Sequence, residues 1–177
     1  MKRLRNTTAA LALALAASVI ADPAPKETAD AAGPLALVGE AQLDVLFWSI
    51  YRSRLYCPDG VYEPGVRPLR LEIEYLRAIR SEDLVKRTAE EWEQLGIEDP
   101  AQERWLATLG ELWPDVEKND VLAVELESDG RATFLHNDSE LGTVADPAFG
   151  QAFIDIWLSP ETSRPKLRLA LTGGREG

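Results

Sequence analysis

The chain is 177 residues long, 45% hydrophobic and 28% charged, with a net charge of −11 at pH 7. So acidic a chain repels phosphate backbones and anionic lipid, which excludes nucleic acid as an expected partner. Cys57 is the single cysteine and His136 the single histidine, with no HExxH or CxxC spacing, so no internal disulfide or metal site is expected.

The N-terminus carries Lys2, Arg3 and Arg5, then an apolar run over 9–20 broken only by Ser18. That run is shorter than the about 20 apolar residues a membrane-spanning helix needs. A basic start, a short apolar stretch and small residues up to Ala21 form the pattern of a cleaved secretory signal. Residues 1–21 are therefore expected to be removed and the protein to be secreted or periplasmic, without stable membrane insertion afterwards. Loss of three cations takes the charge from −11 to −14. Residues 22–34, DPAPKETADAAGP, hold no large apolar side chain and read as a flexible leader. One domain is expected over 35–173.

Segments 35–46 and 47–56 are rich in aromatic and branched residues and read as strands. In the second, Tyr51, Ser53 and Leu55 share one face, and Trp48, Ile50, Arg52 and Arg54 share the other. Segment 69–76 alternates: Leu69, Leu71, Ile73 and Tyr75 face one way and Arg70, Glu72 and Glu74 the other, the pattern of a half-buried strand. Ser81 is expected to cap a helix with Leu84, Thr88, Trp92 and Leu95 inward, ended by Gly96. A second helix is expected from Asp99-Pro100, with Trp105, Leu106, Leu109, Leu112 and Trp113 on its apolar face. Segments 120–127, 131–136 and 140–144, separated by turn residues, predict two hairpins. Asp146-Pro147 opens a third helix, with Phe149, Phe153, Ile156 and Trp157 inward, and Thr162 or Ser163 a short last one. The fold class is α+β: an antiparallel sheet with helices on one face.

Together, GEAQLDVLFWSIYRSRLYCPDG, LEIEYLRAIRSEDLVKRTAEEW, FLHNDSELGTV and FGQAFIDIWLSPETSRPKLRLALTG resemble, in that order, the chalcone-isomerase-like family, and more closely its exported bacterial branch. The resemblance covers about residues 36–173. It implies an open-faced β-sandwich with a ligand cleft between an antiparallel sheet and a helical layer. The plant enzymes of this fold close a ring without a cofactor, using a tyrosine, an asparagine and two hydroxyl residues. The matching positions here hold Arg80, Arg87, Ile50 and Ile156, so the resemblance implies no cofactor, no catalytic residues and no chalcone cyclisation. Related plastid proteins hold a fatty-acid carboxylate with an arginine that matches Arg77.

The candidate ligand-binding residues are thus Arg77, Tyr75, Tyr51, Arg52 and Arg87. Arg77 keeps the odd register of Leu69, Leu71, Ile73 and Tyr75, so a strand one residue longer than 69–76 points it inward; a solvated strand end balancing Glu72, Glu74 or the helix acids is the plain alternative. Arg87 also suits helix-surface pairing with Asp83 or Glu91, Arg52 suits a solvated edge, and the tyrosines suit a core with satisfied hydroxyls. His136 reads as a surface hairpin residue and the tryptophans as mostly core. The expected function is a monomeric, non-catalytic binder of a small apolar carboxylic acid, such as a fatty acid. A cofactor-independent isomerase or lyase on an unsaturated carbonyl compound, and an envelope interaction module, are the alternatives.

Overall fold

The computed structural model describes residues 34–174; the expected signal and most of the leader lie outside them. Six strands form one antiparallel sheet in simple sequence order, β1 (Leu35–Val45), β2 (Trp48–Pro58), β3 (Leu69–Tyr75), β4 (Val121–Leu126), β5 (Ala132–His136) and β6 (Ser139–Val144). Helices α1 (Ser81–Gln94) and α2 (Gln102–Leu112) connect β3 to β4, and α3 (Pro147–Leu158) and α4 (Pro165–Leu171) follow β6.

Alternation along the strands divides the sheet into two unlike faces. One carries Leu55, Cys57, Leu69, Leu71, Ile73, Val124, Leu126 and Phe134, all buried. The other is a ladder of charges: Arg54 lies 2.7 Å from Glu74, and Arg70 lies 2.9 Å from Glu72 and 2.6 Å from Glu125. Such a face needs no protein cover, so the helices pack on the apolar side alone, giving the expected α+β open-faced arrangement.

An aromatic cluster fixes the helical layer. Phe149 of α3 is fully buried, edge-on to Trp92 of α1 and Trp105 of α2 and stacked on Phe153. The indole N–H groups of Trp92 and Trp105 donate to Ala152 O at 2.9 Å and Asp146 Oδ2 at 3.0 Å, so burial leaves neither unpaired. α4 lies against β1, where Gly39 is obligatory: a Cβ there would meet Ala170 O at 2.2 Å.

Helix ends depart from expectation in detail. Ser81 is the first helical residue of α1, and its own N–H is capped by Asp115 Oδ1 at 2.8 Å. α2 starts at Gln102, because Asp99 caps the turn before it through Ala101 N. α4 starts at Pro165, and Thr162 accepts from Arg164 N just ahead of it. Asp146 caps α3 as expected. His136, read as a plain surface residue, has its Nε2 3.1 Å from Asp120 Oδ2.

Candidate functional site: an apolar cavity with a polar rim

The inner face of the sheet and the helical layer do not close completely. Between them lies a cavity of about 440 Å³, within the range of about 300–1,000 Å³ usual for small-molecule sites. Leu71, Ile73, Val124 and Phe134 supply its sheet wall, and Leu84, Phe153 and Ile156 its helical wall. Polar groups gather along one side: Tyr51, Tyr75, Asp83, Arg87, Thr88, Glu91 and Arg164.

Two tyrosines mark the boundary. Tyr51 and Tyr75 are cross-strand partners on β2 and β3, with rings edge-on at 6.3 Å. The Tyr51 hydroxyl accepts from Trp157 Nε1 at 3.0 Å, which leaves its own proton to donate. Burial pushes the Tyr51 phenol up to about 12, against the Trp157 hydrogen bond and the nearby Arg164 charge, which both favour the phenolate. Tyr75 is buried, and burial raises its phenol also; its hydroxyl has no hydrogen-bond partner among the described residues. Both phenols therefore stay protonated at neutral pH and can act as donors. The Trp113 indole N–H, in the same wall, is buried without an acceptor among the described residues.

The two rim arginines differ. Arg87 is half in solvent, donates to Glu90 at 3.1 Å, and pairs with the buried carboxylate of Glu91, so its charge is already compensated. Glu91 also accepts from Ser163 Oγ at 2.8 Å. That bond ties the segment between α3 and α4 to α1, and Thr162 Oγ1 donating to Ile156 O at 2.6 Å ties it to α3. Arg164 follows directly on this pinned segment. Its side chain is half-buried at the cavity beside Tyr51 and meets no carboxylate among the described residues.

Of the candidates from sequence, Tyr51, Tyr75 and Arg87 come together on this cavity, and Arg77 and Arg52 do not line it. β3 ends at Tyr75, where Tyr75 N and Leu76 N turn to Asp120 O and Ile50 O, so Arg77 never acquires the inward register. It is exposed, with its guanidinium 5.6 Å over the Trp48 ring, and lines an adjoining groove with Arg80, Asp115 and Glu117 that shares Ile50, Ile79 and Asp83 with the cavity. Arg52 points to the charged outer face and pairs with Glu74 at 3.2 Å. Arg164, Trp157, Glu91 and Thr88 were not singled out as site residues. Arg164 carried no signal, since a basic residue before Pro165 in a polar loop is indistinguishable from a solvated one.

A model of the chalcone isomerase-like family matches residues 18–173. The chain belongs to the chalcone isomerase-like family. An uncharacterized protein of Haemophilus influenzae is 32% identical over 136 residues, which are 77% of this chain and 67% of that relative. Among solved structures, a fatty-acid binding protein of Arabidopsis thaliana superposes with a TM-score of 0.62 at 10% identity, covering 78% of this chain and 87% of that one. At such low identity the likeness establishes the fold of this chalcone isomerase-like chain, and its chemistry rests on its own side chains.

Proposed function

We propose that this chalcone isomerase-like protein is an exported, non-catalytic binder of a fatty-acid-like carboxylic acid. The observation that carries the reading is the pairing of an apolar cavity with an uncompensated, half-buried Arg164 on its rim. Apolar walls favour an alkyl chain in proportion to the area it withdraws from water. A guanidinium can take both oxygens of a carboxylate, and the Tyr51 and Tyr75 hydroxyls are donors within the same cavity. The fatty-acid binding of the plant structure with this fold agrees with that ligand class.

Acid–base catalysis fits these side chains poorly. A general base works best with a pKa near the ambient pH, whereas burial drives both cavity phenols upward. Glu91, the buried carboxylate, is committed to Arg87 and Ser163.

The test is native mass spectrometry of the chain expressed with its N-terminus intact, followed by displacement of a fluorescent fatty acid from delipidated protein. A co-purifying long-chain acid, or saturable displacement by one, is expected. Absence of both would overturn the binding claim. Export is read from the same spectra: a mature chain beginning at Asp22 in the extracytoplasmic fraction is expected, and protein confined to the cytoplasmic fraction at a mass retaining residues 1–21 would overturn it.

A further inference from the structure

The hairpin joining β1 to β2 does not behave as a surface loop should. Val45 pairs with Trp48, so the loop is only Leu46-Phe47. Phe47 is 98% exposed, Leu46 88% and Trp48 65%. Three consecutive large apolar residues thus stand in water at the tip. Leu46 also has φ 55°, a region that favours glycine or asparagine in two-residue hairpin loops and that a leucine occupies at a cost. Neither solubility nor turn geometry favours these residues here.

The stem of the hairpin is polar and braced. Ser49 Oγ donates to Asp44 Oδ1 at 2.6 Å, and Gln42 Nε2 donates to Asp44 at 3.0 Å and to Ser49 at 3.1 Å. These bonds hold the stem while the tip stays uncovered. On one flank, Arg77 lies over Trp48. A tryptophan with a long cationic side chain against it is the combination that sits at a bilayer's headgroup level, ring toward the acyl chains and charge toward water.

We propose that Leu46-Phe47-Trp48 docks the protein reversibly on a zwitterionic lipid bilayer, with the Asp44–Ser49 stem limiting the depth of insertion. Two observations favour lipid over a second protein. Aromatic side chains offer about 150–250 Å² each, so the tip presents on the order of 500 Å², short of the about 800 Å² per partner of a standard stable interface. The tip is also continuous with the cavity: its flanking residues Val45 and Ile50 both line it. The net charge of −11 disfavours anionic lipid, so apolar contact is the driving force. The docking stands on the tip alone. Its purpose, exchange of an acyl ligand between bilayer and cavity, rests on the fatty-acid reading.

The experiment uses the full-length gene product in the form its host leaves it. Flotation with phosphatidylcholine vesicles is measured without any fatty acid, beside a Leu46→Ser/Phe47→Ser variant. Both tip residues are solvent-exposed, so the variant should keep the parent's melting temperature. Expected results are flotation of the parent, a drop of about tenfold or more in the variant's partition, from loss of two large apolar side chains, and unchanged displacement of a fluorescent fatty acid in solution. A parent that does not float, or a variant that floats equally well, would overturn the proposal. So would a parent dimer in sedimentation that the variant dissolves and vesicles leave intact. Because acid binding is read separately in solution, failure of docking and failure of the cavity reading give different results.

Discussion

Replacing Arg164 by Gln should weaken fatty-acid binding by about 2 kcal/mol, or about thirtyfold in Kd. The figure follows from the site. A hydrogen bond to a charged group contributes about 1.5–3 kcal/mol net, and Arg164 is half-buried, which dilutes the contact with solvent screening. It has no carboxylate within ion-pair reach among the described residues, so a ligand carboxylate would meet a charge that is not already compensated. For the same reason the substitution removes no internal ion pair, and the melting temperature should stay near that of the parent. The assay is displacement of a fluorescent fatty acid, run in parallel with the acid and its methyl ester on the parent, Arg164→Gln and Arg77→Gln. The ester carries no charge, so its affinity should be nearly the same for the parent and Arg164→Gln, and the difference between the two ligands isolates the charge contact. Arg77→Gln should change acid affinity by less than about threefold, within the range of an exposed charge. Equal acid binding by parent and Arg164→Gln, equal losses for acid and ester, or a larger loss from Arg77→Gln would each refute the assignment.

Phe149→Ala should destabilise the domain by about 3–5 kcal/mol in urea unfolding, because a fully buried ring with four aromatic neighbours leaves a cavity; a loss under about 1 kcal/mol would show that the cluster repacks. Stability should fall as pH rises beyond about 10, the ordinary tyrosine value, and through about 12 for Tyr51. Above the ordinary value the unfolded chain has released protons that the folded Tyr51 and Tyr75 still hold, so rising pH favours unfolding. Tyr51→Phe should shallow that decline, and an unchanged alkaline profile would count against a buried, protonated Tyr51. Chalcone should cyclise no faster with stoichiometric protein than without it, followed by loss of its absorbance; acceleration would revive the isomerase reading.

The elements were legible because their signals were periodic and local. Strand 69–75 alternates without exception, Asn137-Asp138 supplies two consecutive positive-φ residues for a tight hairpin, and Asp146-Pro147 announces α3 through its cap. The site was legible only in part. Tyr51 and Tyr75 followed from strand parity. Arg77 obeyed the same parity but lies two residues beyond the last paired position of β3, and parity has no meaning once the backbone leaves the ladder. Arg164 was invisible for the opposite reason. The segment ahead of it is pinned locally by Thr162 on Ile156 and, across the fold, by Ser163 on Glu91, 72 residues earlier, a contact that no sequence window contains. Trp48, grouped with mostly core tryptophans, is exposed: it is the first residue of β2, directly after the two-residue loop Leu46-Phe47.

Among the described residues, the cavity rim owes its one arginine without an ion pair to a specific division of labour. Glu91 is buried, and a buried carboxylate persists only with donors around it. Arg87 and Ser163 provide them. In meeting that need, Glu91 neutralises one rim arginine and anchors the segment that carries the other. A serine hydroxyl satisfies the carboxylate without adding charge, so the segment is held by a neutral donor while Arg164, one residue on, is left without an ion-pair partner among the described residues. Had Arg164 supplied that donor itself, the cavity would present two compensated arginines and no reason to prefer an acid over its ester. The proposed preference for an acid would therefore originate less in Arg164 than in the Ser163–Glu91 contact that spares it.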